Sequence, residues 1–207
     1  MKISGIATTV GFYLLLSVVT SCRNPFIWDV PPDIHSDALR ATPQGVLEQI
    51  IASYEGRQID LYEDLFPKDG SFRFFVAPAF LDSNFEKYKQ FREVRDTRLQ
   101  FIGQSEYYYY WAQEQEFESH TRLFSRANSI EFVEKPLVES VRKFVDHGDS
   151  LAEMLITGGW LEVGVDIDVH TIEVSYTTIQ RQVLLLEKDE DDLWVISKWY
   201  DFSSNGN

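Results

Sequence analysis

The order of hydrophobic patterns along this chain predicts an α+β fold, with N-terminal helices packed on a strongly curved antiparallel sheet. Three observations carry that expectation. Apolar residues recur at helical spacing over residues 42–66, a second helical stretch follows a run of five aromatics at 107–111, and strand-like runs dominate from residue 129 onward. Helices gathered first and strands gathered last describe a sheet covered on one face, whereas regular alternation of the two would describe a parallel sheet.

Thr42 and Pro43 open the first helix, a capping side chain followed by proline at the first helical position, where its missing N–H costs nothing. Val46, Leu47, Ile50, Ile51 and Tyr54 then share one face until Gly56. Asp60 with Glu63 predicts the cap of a second short helix, whose apolar residues Leu61, Tyr62, Leu65 and Phe66 end before Pro67. Residues 71–77, SFRFFVA, are aromatic and β-prone and predict the first strand. The charged segment 85–101 reads as a surface helix or an excursion. After the aromatic run, Phe117, His120, Thr121 and Phe124 fall on one helical face at spacings of three and four. Residues 129–135 and 139–146 predict strands around Pro136, with a helical turn over 137–144 as the alternative, and Gly158-Gly159 punctuates. Residues 160–176 predict one long half-buried strand, with Leu161, Val163, Val165, Ile167 and Val169 on one side and Glu162, Gly164, Asp166, Asp168 and His170 on the other. Two further strands follow, joined by a tight acidic turn at 189–192.

Of 207 residues 44% are hydrophobic and 14% aromatic, enough for one core, so one domain is expected. The formal charge is −14, from 33 acidic against 19 basic residues, and phosphate backbones would be repelled; nucleic acid is excluded as a partner. The chain opens with Met1, Lys2 and a mostly apolar stretch at 6–19 that ends in small residues, the layout of an export signal. That run falls short of the roughly 20 residues needed to span a bilayer as a helix. The single cysteine follows directly. Val19, Thr20, Ser21 and Cys22 resemble the lipobox of bacterial lipoproteins, an aliphatic residue and two small ones before the cysteine. The resemblance implies a signal over 1–21, a diacylglyceryl group on the Cys22 thiol and an acyl chain on the amine exposed by cleavage. Two or three chains hold firmly where one holds marginally. An ordinary secretory signal with an incidental cysteine is the alternative. Residues 22–41, with three prolines and no periodicity, are expected to form a flexible tether, and 42–207 to fold. Arg23 stands where lipoproteins of the inner membrane often carry Asp, so the resemblance points to the outer membrane, facing the periplasm. One thiol cannot staple the fold, which must rely on its core.

The stretch TPQGVLEQIIASYEGRQIDLYEDLFPKDGSFRFFV resembles the opening of nuclear transport factor 2-like (SnoaL-like) domains, where a helix pair precedes an F-x-F strand. LWVISKWYD, at 193–201, is similar to the terminal strand of that superfamily, and WAQEQEFESHTRLF, at 111–124, to the middle helix of its lipid-anchored bacterial members. The resemblance implies a cone-shaped cystatin-like fold whose sheet wraps a long helix and leaves a pocket at the open end. It also implies a possible homodimer through the sheet. The segment 79–103 exceeds what a minimal member needs. Isomerases, dehydratases and binding modules share this architecture, so the fold does not supply the function.

His120, on the apolar face of the central helix beside Phe117 and Tyr54, has a side chain suited to moving a proton, although a hydrogen-bonded core histidine is the commoner use. Asp201, near the end of the last strand, is the nearest acid to the tyrosine-and-carboxylate arrangement of the superfamily's isomerases; a surface acid is the plainer reading. Asp166, Asp168 and His170 share a strand face, but successive same-face residues lie about 7 Å apart, too far for one ion to touch all three. No metal and no cofactor is expected. The aromatic run presents broad apolar faces with polar tips, either as a ligand-facing rim or as core. A binding module with Tyr54, Trp111, Phe117, His120 and Trp199 around its ligand is the reading taken, for a small apolar molecule or a protein partner at the membrane surface. An isomerase or hydratase using the cone cavity is the alternative, and a purely structural envelope component the third.

Overall fold

The computed structural model describes residues 36–75, 91–94, 107–145, 148–168, 171–179 and 181–202. The apolar leader, Cys22, the first part of the expected tether, most of the 79–103 segment and His170 lie outside the described residues. Folded structure begins earlier than expected, because part of the tether is helix α1 (Ser36–Arg40), packed against the next helix. Arg40 is the reason. Its guanidinium binds Asp37 at 3.1 Å and Asp189 at 3.2 Å, two carboxylates that neutralise it and allow its stem to be buried.

Helix α2 (Pro43–Gly56) starts as its sequence dictates, with the Thr42 hydroxyl accepting the Gly45 N–H at 3.1 Å. It ends on Arg57 in a left-handed conformation (φ 51), whose N–H donates to the Tyr54 carbonyl at 3.0 Å. Gln49, fully buried, donates to the Leu61 carbonyl at 2.8 Å and so ties α2 to helix α3 (Ile59–Glu63). The cap expected from Asp60 does not form. Gln58 occupies the cap position without a side-chain bond, and Asp60 sits in the first turn, where a negative charge still favours the helix dipole.

The strands are β1 (Arg73–Phe75), β2 (Arg92–Val94), β3 (Tyr107–Ala112), β4 (Ala127–Glu134), β5 (Leu137–Lys143), β6 (Leu151–Thr157), β7 (Trp160–Asp168), β8 (Thr171–Thr178), β9 (Arg181–Lys188) and β10 (Trp194–Asp201). Helix α4 (Gln113–Arg126) lies between β3 and β4. The 85–101 segment thus contributes a strand, β2, where a helix or excursion was expected, and 137–144 is strand, not helical turn. The long strand expected over 160–176 is a hairpin of β7 and β8, with Asp168 paired to Thr171. A signal for that turn exists: apolar residues occupy odd positions through Val169 and even ones at Ile172, Val174 and Tyr176. Such a change of phase is incompatible with one continuous strand.

Strands run in the order β2-β3-β1-β10-β9-β6-β5 in one sheet and β4-β7-β8 in another. Among the described residues all pairs are antiparallel except β1 with β10, an exception to the antiparallel sheet expected. A parallel pair needs a long connection, and these two strands are joined by most of the domain. The two sheets share three chain passages in matching order: β4 leads into β5 through Pro136, β6 into β7 through Gly158-Gly159, and β8 into β9 past Ile179. The curvature is a common bend across these passages. At its centre Gly159 has φ 122, its carbonyl accepts the Ile179 N–H at 2.9 Å, and a Cβ there would lie 3.2 Å from Pro136 Cβ and 3.3 Å from Ile179 Cβ.

The concave face carries Met154, Ile156, Leu184, Leu186, Trp194, Ile196 and Trp199, which form one core with Val46, Leu47 and Ile50 of α2, Tyr62, Leu65, Phe66, Phe72 and Phe124. The architecture is therefore the α+β one expected, helices against one face of a curved sheet. The opposite face buries a smaller cluster around Phe75, Val183, Leu185 and Tyr200, with the Phe75 and Tyr200 rings stacked at 4.3 Å.

Candidate functional site

Helix α4 builds the site. Glu116 and His120, four residues apart, project from one face towards α2 and α3. Glu116 lies in the first turns of α4, where exposed backbone N–H groups and the helix dipole favour a negative charge. It is 1% exposed. Its Oε1 accepts the Tyr62 hydroxyl at 2.6 Å and lies 3.3 Å from His120 Nδ1; its Oε2 is buried without a hydrogen-bond donor among the described residues. His120 Nδ1 also lies 3.0 Å from the Glu116 backbone carbonyl, and its Nε2 lies 2.5 Å from the Tyr54 hydroxyl.

These partners fix where the imidazole proton sits. Both neighbours of Nδ1 are oxygens that only accept, so Nδ1 carries hydrogen. In the neutral imidazole Nε2 is then a bare acceptor, and Tyr54 donates to it. Four polar groups from three helices close on one another inside a shell of rings: His120 stacks on Tyr62 at 4.2 Å, Tyr54 meets Phe124 edge-on at 5.4 Å, and Tyr62 meets Phe66 at 5.0 Å. Phe117 joins through Phe66 at 5.5 Å.

A second aromatic group crosses the sheet. Trp111, Phe74 and Trp199 are direct neighbours on β3, β1 and β10, with Phe74 stacked on Trp111 at 5.0 Å and tilted against Trp199 at 5.9 Å. Trp199 is buried, with no acceptor for its Nε1–H among the described residues. Asp201, two residues on, is half-buried at the end of β10.

Of the residues singled out from sequence, Tyr54, Phe117 and His120 fall in the first group and Trp111 and Trp199 in the second; both groups pack against the same core. Thr121, expected on the buried face, is exposed, while Asp201 is only the least of the influences raising Tyr54. Asp166 is exposed and the Asp168 side chain is outside the described residues. Among the described residues no three His, Cys, Asp or Glu side chains cluster as metal ligands. Glu116 went unrecognised as the partner of His120. Its position four residues before a histidine on a buried face was the available signal.

Burial raises the Tyr62 hydroxyl well above the ordinary value of 10.0, and the charge of Glu116 pushes it the same way; Tyr54 is raised by the same two causes in that order. In the folded chain these groups keep their protons after the unfolded chain has lost them. Their effect on stability is nil below the unfolded value and turns unfavourable as pH rises past it, by about 1.4 kcal/mol per pH unit for a fully buried tyrosine. Urea unfolding between about pH 9 and 11 should therefore show stability falling steeply from about pH 10. Tyr62→Phe, although less stable at neutrality, should show a shallower fall. Equal slopes in the two proteins would contradict the assignment.

No family model matches the sequence, and no curated protein does. Among solved structures the chain is similar to a conserved protein from Planctomyces limnophilus, at 11% identity and a TM-score of 0.48 over 81% of this chain and 95% of that one. It is also similar to a nuclear transport factor 2-like superfamily protein from Salmonella enterica serovar Typhimurium, at 10% identity and a TM-score of 0.48 over 82% and 94%. The likeness is one of architecture, and no residue's role is carried over from it.

Proposed function

We propose that this chain is a lipid-anchored envelope protein whose folded domain binds a small apolar ligand or a protein partner without transforming it. The observation that carries the binding reading is the set of aromatic side chains bordering the core, Tyr54, Phe74, Trp111 and Phe117, which remain only partly buried. Rings left half-covered beside buried polar groups offer an apolar body its contact area and a polar end its orientation. Native mass spectrometry of the protein purified from its host tests this. A small molecule released on denaturation is the expected result, and a species of bare chain mass that takes up no apolar compound would contradict it.

The anchor is supported by the lipobox-like run ending at Cys22. Cells fed labelled palmitate should label the wild-type chain and leave Cys22→Ser unlabelled and released from membranes. A variant that still pellets, with no label in either form, would overturn the anchor.

The hydrogen-bonded chain from Glu116 through His120 to Tyr54 favours a second reading, an isomerase or hydratase in which His120 moves a proton. Incubating the released compound with fresh protein separates the two. An unchanged mass and retention time supports binding alone, and conversion by the wild type but not by His120→Asn supports the enzyme.

A further inference from the structure

We infer that the open edge of β8 is a self-association surface, at which β8 of a second copy of this chain pairs antiparallel about a two-fold axis at Val174. The inference is independent of the ligand reading.

Among the described residues, β2 and β5 end one sheet and β4 and β8 end the other. A strand edge presents unpaired N–H and C=O groups to any other chain, and folded proteins blunt it by shortness, charge, proline or a bulge. Three of these edges are blunted. β2 has three residues, of which Arg92 and Glu93 are charged. β5 follows Pro136, carries Glu139, Arg142 and Lys143, and bulges between Val138 and Ser140. β4 carries Glu131 and Glu134 and bulges twice, between Ala127 and Ser129 and between Phe132 and Glu134. β8 has none of these devices. It runs for eight residues without proline, Glu173 is its one charged residue, and the irregularity in its pairing falls on β7. Glu173, Val174 and Ser175 are all exposed, and since successive residues of a strand point to opposite faces, β8 is open on both.

The order of residues along β8 selects a second copy as the occupant. Opposite residues of an antiparallel pair share a face, so a two-fold axis normal to the sheet must pass through one residue position. With the axis at Val174, that valine falls opposite its own counterpart, Ile172 opposite Tyr176, Thr171 opposite Thr177 and Glu173 opposite Ser175. Apolar positions match apolar, polar match polar, and the two carboxylates are kept apart. An axis at Glu173 would oppose them directly, and one at Ser175 would set Ile172 against Thr178. Val174 also lies opposite Gly164 of β7, which has no side chain to offer. A second Val174 supplies the cross-strand contact that β7 omits.

Sedimentation equilibrium of the full chain in density-matched detergent tests the pairing and should show monomer and dimer in exchange. Ser175 is exposed, so its variants read the register without disturbing the core. Ser175→Glu sets a carboxylate opposite Glu173 of the partner subunit, twice per dimer, and should weaken association about fivefold; Ser175→Lys should tighten it about fivefold. In a Glu173→Lys background the order should reverse, with Ser175→Glu the tighter, an outcome opposite to the trend in net charge. Amide exchange should slow with rising concentration in β8 and stay unchanged in β4 and β5. A chain that remains monomeric, a dimer in which the order does not reverse, or slowed exchange confined to other strands overturns the pairing and leaves the ligand reading standing.

Discussion

Replacing Tyr62 by phenylalanine should lower the unfolding free energy at neutral pH by about 3 kcal/mol, far more than the loss of one oxygen atom from a well-packed ring would suggest. The ring itself is retained, with its stack on His120 at 4.2 Å and its edge contact with Phe66 at 5.0 Å, so packing changes little. What disappears is the donor at 2.6 Å from a carboxylate that is 1% exposed. Among the described residues Glu116 would then keep the imidazole at 3.3 Å, with both oxygens poorly satisfied in a low-dielectric interior. Urea unfolding at neutral pH measures the loss. The double variant Tyr62→Phe/Glu116→Leu should be less destabilised than the sum of its single variants by at least about 1 kcal/mol, because removing both partners leaves nothing stranded. Additive losses would show that the two side chains do not depend on each other.

Gly159→Ala should cost about 3 kcal/mol, while the same change one residue earlier, at Gly158, should cost about 1 kcal/mol. Both glycines have positive φ, 67 at Gly158 and 122 at Gly159, but their surroundings differ. A Cβ at Gly158 meets nothing within 4 Å, and its φ is one that L-residues visit at modest cost. At Gly159 the φ is open to glycine almost alone, and the new methyl would lie 3.2 Å from Pro136 Cβ and 3.3 Å from Ile179 Cβ. Those two residues belong to the flanking chain passages of the bend, so the strain spreads to three strands. Thermal or urea unfolding of the two variants side by side measures the difference. Equal losses would mean that Gly159 is needed only for its own dihedral angle, with no role in bringing the three passages together.

The helices from α2 onward were legible because their signals are local. Thr42-Pro43 starts α2 and the recurrence of Val46, Leu47, Ile50 and Tyr54 gives its buried face, all within a few turns of chain. The acidic turn between β9 and β10 was equally plain, and its Asp189 holds the turn by accepting the Asp191 and Leu193 N–H groups at 2.9 and 3.0 Å. What sequence did not give was everything decided by distant partners. The bend needs Pro136, Gly159 and Ile179 side by side, and nothing local relates them. The parallel pairing of β1 with β10 joins opposite ends of the domain. Helix α1 looked like tether because the carboxylate of Asp189 that buries Arg40 lies 149 residues away. At the site, His120 stood out as a rare residue type on an apolar face, whereas Glu116 was one of four glutamate and glutamine residues in a row at 113–116 and looked like solvent-facing charge. Its burial is set by Tyr62, from a different helix. Sequence periodicity names a face; which polar residue on that face meets a donor is a tertiary fact.

The interior site stands or falls with the His120 imidazole, and nitrogen NMR of the chain labelled at histidine observes it directly. Of the four histidines, the resonance lost in His120→Asn should be that of a ring with hydrogen on Nδ1 and with Nε2 bonded to the Tyr54 hydroxyl. It should change in Tyr54→Phe. A His120 ring protonated on Nε2 alone, or one indifferent to Tyr54, would contradict the arrangement on which the interior site depends.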